Sequence, residues 1–396
     1  MTVPAASRNL ESSPHVLGAN GKPMYKVLFT SDYEIHGSGM GSPKDLVVDP
    51  TTRMLDQLDR YGAKLTIMAD VGEILKFKEY AERTGRDRFH WGSIARQMQR
   101  AVRTGHDVQL HIHSSYFNAT WDEAGGYWKQ DYAEYDLASL PYDRVRDMIR
   151  QGKRLLEETC RVARADYECF AFRAANWSMQ PSPNIVRALV EEGFRIDTSV
   201  WKYGVYDDLV KFDYRAAYSD LVPWPVDPSD VCRRDPSGRL FEFPIYTEQQ
   251  PLWVFLTANR VYRVIAQRLN PLPNPDAVAD RAEGVANAAR TGGPRSLADK
   301  VLGKAKALVR QHPWKVDFNQ CTGKQLVDAL ERVEARYGHP EAPLPFVLIG
   351  HSKTFTAHNE RSLLPFLEFV AAHPDRFSFG TFADFDAERY RTPVAA

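Results

Sequence analysis

Eight short runs rich in β-branched and aromatic residues recur along the 396-residue chain, most of them separated by helix-like stretches. They read KVLFTSD (26–32), KLTIMAD (64–70), DVQLHIH (107–113), YECFAFRA (167–174), FRIDTSV (194–200), FEFPIYT (241–247), FVLIGHS (346–352) and FSFGTFADF (377–385). Near-continuous apolar character over about 4 to 8 residues marks a strand buried on both faces, as in a parallel sheet covered by helices on each side. Between the runs lie TTRMLDQLDRYG and SIARQMQRAVRTG, each closed by glycine, and SPNIVRALVEEGF, opened by Ser182 and Pro183. These are helix boundaries. Strand then helix, repeated about seven times, predicts an α/β fold built on a parallel sheet or barrel.

Two segments fall outside this rhythm. Residues 1–23 are poor in apolar side chains and read as a flexible tail. Residues 252–315 read as a helical insertion, LWVFLTANRVYRVIAQRL and SLADKVLGKAKALVRQ flanking PLPNP and TGGP, with 11 Lys+Arg against 4 Asp+Glu. A solvated surface accounts for such a charge run, and contact with an anionic glycan, lipid headgroup or partner is the sharper alternative. The remainder, 24–251 and 316–390, reads as one α/β domain.

Composition narrows the class. With 43% apolar, 26% charged and 12% aromatic residues, the chain is neither disordered nor a multispan membrane protein. Lys+Arg and Asp+Glu are equal at 51 each, so no global field directs the protein to nucleic acid. No export leader opens the sequence and no stretch approaches ~20 apolar residues, so no membrane span is expected. Cys160, Cys169, Cys232 and Cys321 lack metal or disulfide spacing and read as reduced thiols of a cytoplasmic protein.

In parallel α/β folds reactive side chains gather at the carboxyl ends of the strands, where the connecting loops converge. Asp32 and Glu34 end the first run, and alternation points both carboxylates one way and Tyr33 the other. Two acids on one face repel, an arrangement relieved by a raised pKa or by a metal ion. His111 and His113 end the third run under the same alternation, so both imidazoles can converge on one ion. A single histidine is more often a hydrogen-bonded core residue; two in register beside the acidic strand favour ligation. His106, in the preceding turn, reads as solvent-facing. Arg173 and Trp177 follow the fourth run, Asp197 lies in the fifth and His351 ends the seventh. An Arg, an Asp and a His at three further strand ends could orient and tune a catalytic acid, with buried Arg–Asp pairing as the alternative. Trp121, Trp128 and Trp177 could stack on sugar rings or simply pack the core.

With these residues in view, the chain resembles the NodB-homology polysaccharide deacetylases of carbohydrate esterase family 4. TSDYE at 30–34 resembles the first family motif, Thr-Phe-Asp-Asp-Gly, and makes Asp32 similar to its general base. GHDVQLHIHSS at 105–115 resembles the second and places His111 on the first metal histidine. FRAANW resembles the third through Arg173, IDTSV the fourth through Asp197, and IGH at 349–351 the fifth, whose histidine is the proton donor. The sequence departs from the pattern at Tyr33, in the metal-aspartate slot, at Ser115, in the second metal-histidine slot, and at Ala175, where proline is usual. Glu34 and His113 are the natural replacements.

The resemblance implies a distorted (β/α) barrel of about seven strands and a metal-dependent hydrolase removing acetyl groups, N-acetyl foremost, from a polysaccharide or glycan intermediate. Glu34, His111 and His113 would hold a divalent metal, Zn²⁺ first, with Co, Ni, Mn and Fe sharing these ligands. Asp32 would be the base, His351 the acid tuned by Asp197 or a similar carboxylate, and backbone N–H groups near Arg173 to Ala175 would receive the oxyanion. Trp177 would contact substrate. A metal-dependent amidohydrolase acting on a non-glycan amide and a non-catalytic glycan-binding relative are the two other readings.

Overall fold

The computed structural model describes residues 24–35, 39–262 and 311–393. The tail at 1–23 and most of the insertion, including the stretch expected to form its second helix up to residue 310, lie outside the described residues.

Seven parallel strands form a barrel: β1 (Tyr25–Tyr33), β2 (Leu65–Asp70), β3 (Asp107–Ile112), β4 (Ala171–Ala174), β5 (Ile196–Asp197), β6 (Phe241–Glu242) and β7 (Leu344–His351). They pair in the order β6-β5-β4-β3-β2-β1-β7. Every residue of β2 and β3 is buried, as expected of strands covered on both faces. The barrel closes beyond β6. Phe243 and Ile245 donate their N–H groups to Asp197 and Val200 on one side, while Tyr246 donates to Val347 of β7 on the other. Pro244, without an N–H, interrupts this stretch, so only Phe241 and Glu242 of the 241–247 run join the parallel ladder of the barrel and closure rests on the single bridge between Ile245 and Val347. This is the distortion of the barrel.

The helices α1 (Asp49–Asp59), α2 (Val71–Thr84), α3 (Trp91–Arg103), α4 (Tyr142–Cys160), α5 (Ser182–Glu191), α6 (Gly323–Tyr337) and α7 (Ala357–Ala372) lie in the connections. The glycines expected to stop α1 and α3 do so at positive φ, 68° for Gly62 and 83° for Gly105. Between β5 and β6 the alternation fails: that connection consists of the hairpins Val205–Asp207/Lys211–Asp213 and Trp224–Asp227/Asp230–Arg234. The last apolar run gives only a short strand, Phe377–Phe379, paired with the start of β1.

Three local expectations change. The end of the presumed insertion, Gln311–Lys315, is a strand antiparallel to Thr247–Pro251. Leu252–Phe255, expected to open a long helix, forms a single 3₁₀ turn. His106 is buried rather than solvent-facing, its Nδ1 accepting from the Leu65 N–H at 2.9 Å and its Nε2 lying 3.1 Å from Asp59. It latches the start of β2 to the turn before β3, and burial lowers its pKa to about 4. All four cysteines are free and buried. Among the described residues no helix is long and apolar enough to cross a membrane.

Candidate active site

Backbone register assembles the site. Asp32 of β1 is the ladder partner of His351 of β7, Asp70 of β2 is that of His111 of β3, and His111 is that of Arg173 of β4. All stand at the carboxyl ends of neighbouring strands, where the loops converge. Along β1 the odd residues face the helices. Phe29 meets Phe366 of α7 edge-on, and the Tyr33 hydroxyl donates to Gln97 of α3 at 2.8 Å. Thr30 and Asp32 face the interior, where both meet Arg173.

Glu34, His111 and His113 converge as expected, all three buried. Glu34 Oε2 lies 3.1 Å from His111 Nε2 and 2.7 Å from His113 Nε2. The other His111 nitrogen, Nδ1, is 2.9 Å from the Arg173 carbonyl, which can only accept, so Nδ1 carries the proton. In a neutral His111 the Nε2 lone pair therefore faces a carboxylate lone pair. Two acceptors at this distance need a cation or a proton between them, so the donor set fits a divalent metal. The second oxygen, Glu34 Oε1, accepts from Lys353 Nζ at 2.8 Å.

The first turn of α2 holds two of these ligands in place. Asp70 Oδ1 caps the helix at Gly72 and accepts the His113 N–H, while Glu73 accepts the N–H of Ile35, next to Glu34. Gly72 permits this approach, since a Cβ there would stand 2.7 Å from the His113 carbonyl oxygen.

Arg173 is fully buried and its donors are committed: Nη1 to Asp32 Oδ1 at 2.7 Å, Nη2 to Thr30 Oγ1 at 2.8 Å and Nε to the Thr198 carbonyl at 3.0 Å. It is a strut that orients Asp32. His351 Nε2 stands 3.5 Å from Asp32 Oδ2, and its backbone N–H donates to Asn319 Oδ1. Burial alone would raise the Asp32 pKa, but Arg173, His111 and His351 outweigh it and hold the carboxyl below its ordinary value. Burial is likewise overcome at Glu34 by Lys353 and the two histidines, which keep it well below the usual range. For His351 burial prevails over the acids and favours the neutral ring.

These groups line a cavity of about 240 Å³ together with Trp177, Asn176, Lys353 and Thr354. Trp177 reaches the wall through a turn in which Asn176 and Trp177 take φ of 51° and 61°. Left-handed backbone at a tryptophan is strained, on the order of 1 kcal/mol or more, and is held here by the Tyr214 hydroxyl donating to the Trp177 carbonyl.

Three expectations are narrowed. Asp197 does not reach His351: its Oδ1 accepts from Ser199 Oγ and its carboxyl lies against Glu242, its partner across the β5–β6 ladder. The carboxylate beside His351 is Asp32. The Ala174 N–H, placed in the expected oxyanion site, is donated to Ser199 Oγ at 2.8 Å. Trp121 and Trp128 pack with Phe89, and neither lines the cavity. The slots that depart from the family pattern point elsewhere, Tyr33 to Gln97 and Ser115 to Gln130. Sequence reasoning missed Lys353, Asp70, Glu73 and Asn319. Strand alternation gives no signal for Lys353, which lies in the 3₁₀ turn Ser352–Thr354 just past the end of β7.

No family model matches the chain, and no curated protein matches it. Solved structures similar to it include a putative polysaccharide deacetylase from Mycobacterium smegmatis, 16% identical over 97% of this chain and 95% of that one, with a TM-score of 0.46. A probable polysaccharide deacetylase from Pseudomonas aeruginosa PAO1 is 15% identical over 96% and 94%, with a TM-score of 0.45. Puue allantoinase is 14% identical over 98% and 97%, with a TM-score of 0.45.

Proposed function

We propose that the chain is a metal-dependent hydrolase that removes acetyl groups, N-acetyl foremost, from a polysaccharide or glycan intermediate. The observation that carries this reading is the convergence of Glu34 Oε2, His111 Nε2 and His113 Nε2, three buried ligand atoms within 4.8 Å of one another. Glu34, His111 and His113 would hold the ion, Zn²⁺ being the first choice for an N/O set of three. When bound there, a divalent cation supplies Lewis acidity to water and to an amide carbonyl.

The chain's own residues supply the rest. Asp32, held by Arg173 and kept ionised, takes the proton of the attacking water. His351, close to Asp32 and neutral at rest, receives a proton and delivers it to the departing amine. Arg173 does not touch substrate in this scheme. Its guanidinium fixes Asp32, and its carbonyl fixes the tautomer of His111. Trp177 forms the wall against which the acylated sugar rests.

One observation favours a second reading, a non-catalytic glycan-binding relative: Lys353 already neutralises Glu34 through Oε1. Elemental analysis after dialysis against Zn²⁺ separates the two. About one ion per chain, lost in His111→Ala, supports the hydrolase, whereas a metal-free wild type removes it.

A further inference from the structure

Lys315 ends the strand Gln311–Lys315, and its ammonium lies between two indoles, one of which, Trp177, lines the cavity. Nζ is 4.4 Å from the centre of the Trp177 ring and 4.3 Å from that of Trp201, and the two rings meet edge to face at 6.3 Å. Trp177 is itself a wall of the cavity. The neighbouring cations are spent, Arg173 on Asp32 and Lys353 on Glu34. The Lys315 ammonium has no carboxylate within ion-pair distance and no hydrogen bond among the described residues. Beside it the buried Trp201 Nε1–H also lacks an acceptor.

A partly buried ammonium faced only by π systems is attracted to them but remains short of counter-charge. Burial accordingly draws its pKa down to about 8, with Asp317 and Asp32 opposing. An ammonium with no hydrogen-bonded partner is the complement of an oxyanion.

We propose that Lys315, walled by Trp177 and Trp201, is a subsite for an anionic group, so that the glycan deacylated in the adjoining cavity is an acidic one, bearing a sugar carboxylate or a sugar phosphate. The subsite stands on its own geometry. Calling its ligand a substrate rests on the deacetylase reading.

The test is titration of the full chain at neutral pH and constant ionic strength with glucuronate, glucose 6-phosphate and glucose, followed by tryptophan fluorescence and calorimetry. At least one charged sugar binds about 10-fold or more tightly than glucose, Lys315→Met abolishes that preference, and Lys315→Arg keeps most of it. The tighter of the two charged sugars names the anion. Equal affinity for all three sugars in the wild type overturns the proposal, and so does a preference that survives Lys315→Met. The wild-type comparison decides even where Lys315→Met fails to fold. Because binding is read without turnover, an anion preference in a protein that deacetylates nothing refutes the hydrolase reading and leaves the subsite standing. Turnover with no preference does the reverse.

Discussion

Asp32 and His351, from opposite ends of the chain, are direct ladder partners on β1 and β7, and Asp32 Oδ2 stands 3.5 Å from His351 Nε2. The proposed base and acid are thus adjacent, with Arg173 on the other oxygen of Asp32. In the proposed reaction, proton movement between attacking water and leaving group needs no rearrangement of the barrel.

The proposed function gives Asp32 and Glu34, at and just beyond the end of β1, separable roles. Asp32→Asn abolishes deacetylation and leaves the metal in place, because a base is lost and a ligand is not. Glu34→Gln lowers metal affinity by roughly 10-fold or more. Metal titration of both variants, beside an acetyl-release assay, checks this. An Asp32→Asn protein that cannot hold metal reverses the assignment.

His351→Ala retains the metal and loses about 10² to 10⁴ in rate on an acetylated chitooligosaccharide, whose amine leaves poorly without a proton. An aryl acetate, with a good leaving group, is far less affected. Equal losses on the two substrates would make His351 a pocket-shaping residue instead.

Gly72→Ala drives a methyl group to 2.7 Å from the His113 carbonyl, which cannot swing away while the His113 N–H is tied to Asp70. Overpacking of this kind costs about 1 to 3 kcal/mol. The variant melts earlier and binds Zn²⁺ more weakly than wild type, although residue 72 ligates nothing. Unchanged affinity would mean that α2 does not set the position of His113.

His106 gives the fold an acid sensitivity that can be isolated. Its folded pKa of about 4 is below the unfolded value of about 6.5, so the unfolded chain binds the proton first. Its contribution is complete above pH ~6.5 and is lost as the pH falls toward ~4, by about 3 kcal/mol in all. Denaturant melts across this window, compared with His106→Gln, measure the difference in slope. Parallel curves would show that His106 is not buried as a neutral ring.

The residue pattern alone marked the strands β1, β2, β3 and β7 and put Asp32 with Glu34, and His111 with His113, on shared faces; the resemblance singled out Glu34 to join the two histidines. Alternation along a strand is local, and a two-residue spacing fixes a shared face whatever the rest of the chain does. The rule ends with the strand, and Lys353 lies in the 3₁₀ turn Ser352–Thr354 beyond β7. It could not say that Lys353 would close on Glu34, that Asp32 rather than Asp197 would stand beside His351, or that Ser199 would take the Ala174 N–H. Nor could it bury His106, whose partners Leu65 and Asp59 belong to other elements. Those outcomes depend on which strands are neighbours, in what register, and on how the chain around Pro244 closes the barrel between β5 and β7. Direction of a side chain is a property of its own strand; the identity of the group it meets is a property of the closed barrel.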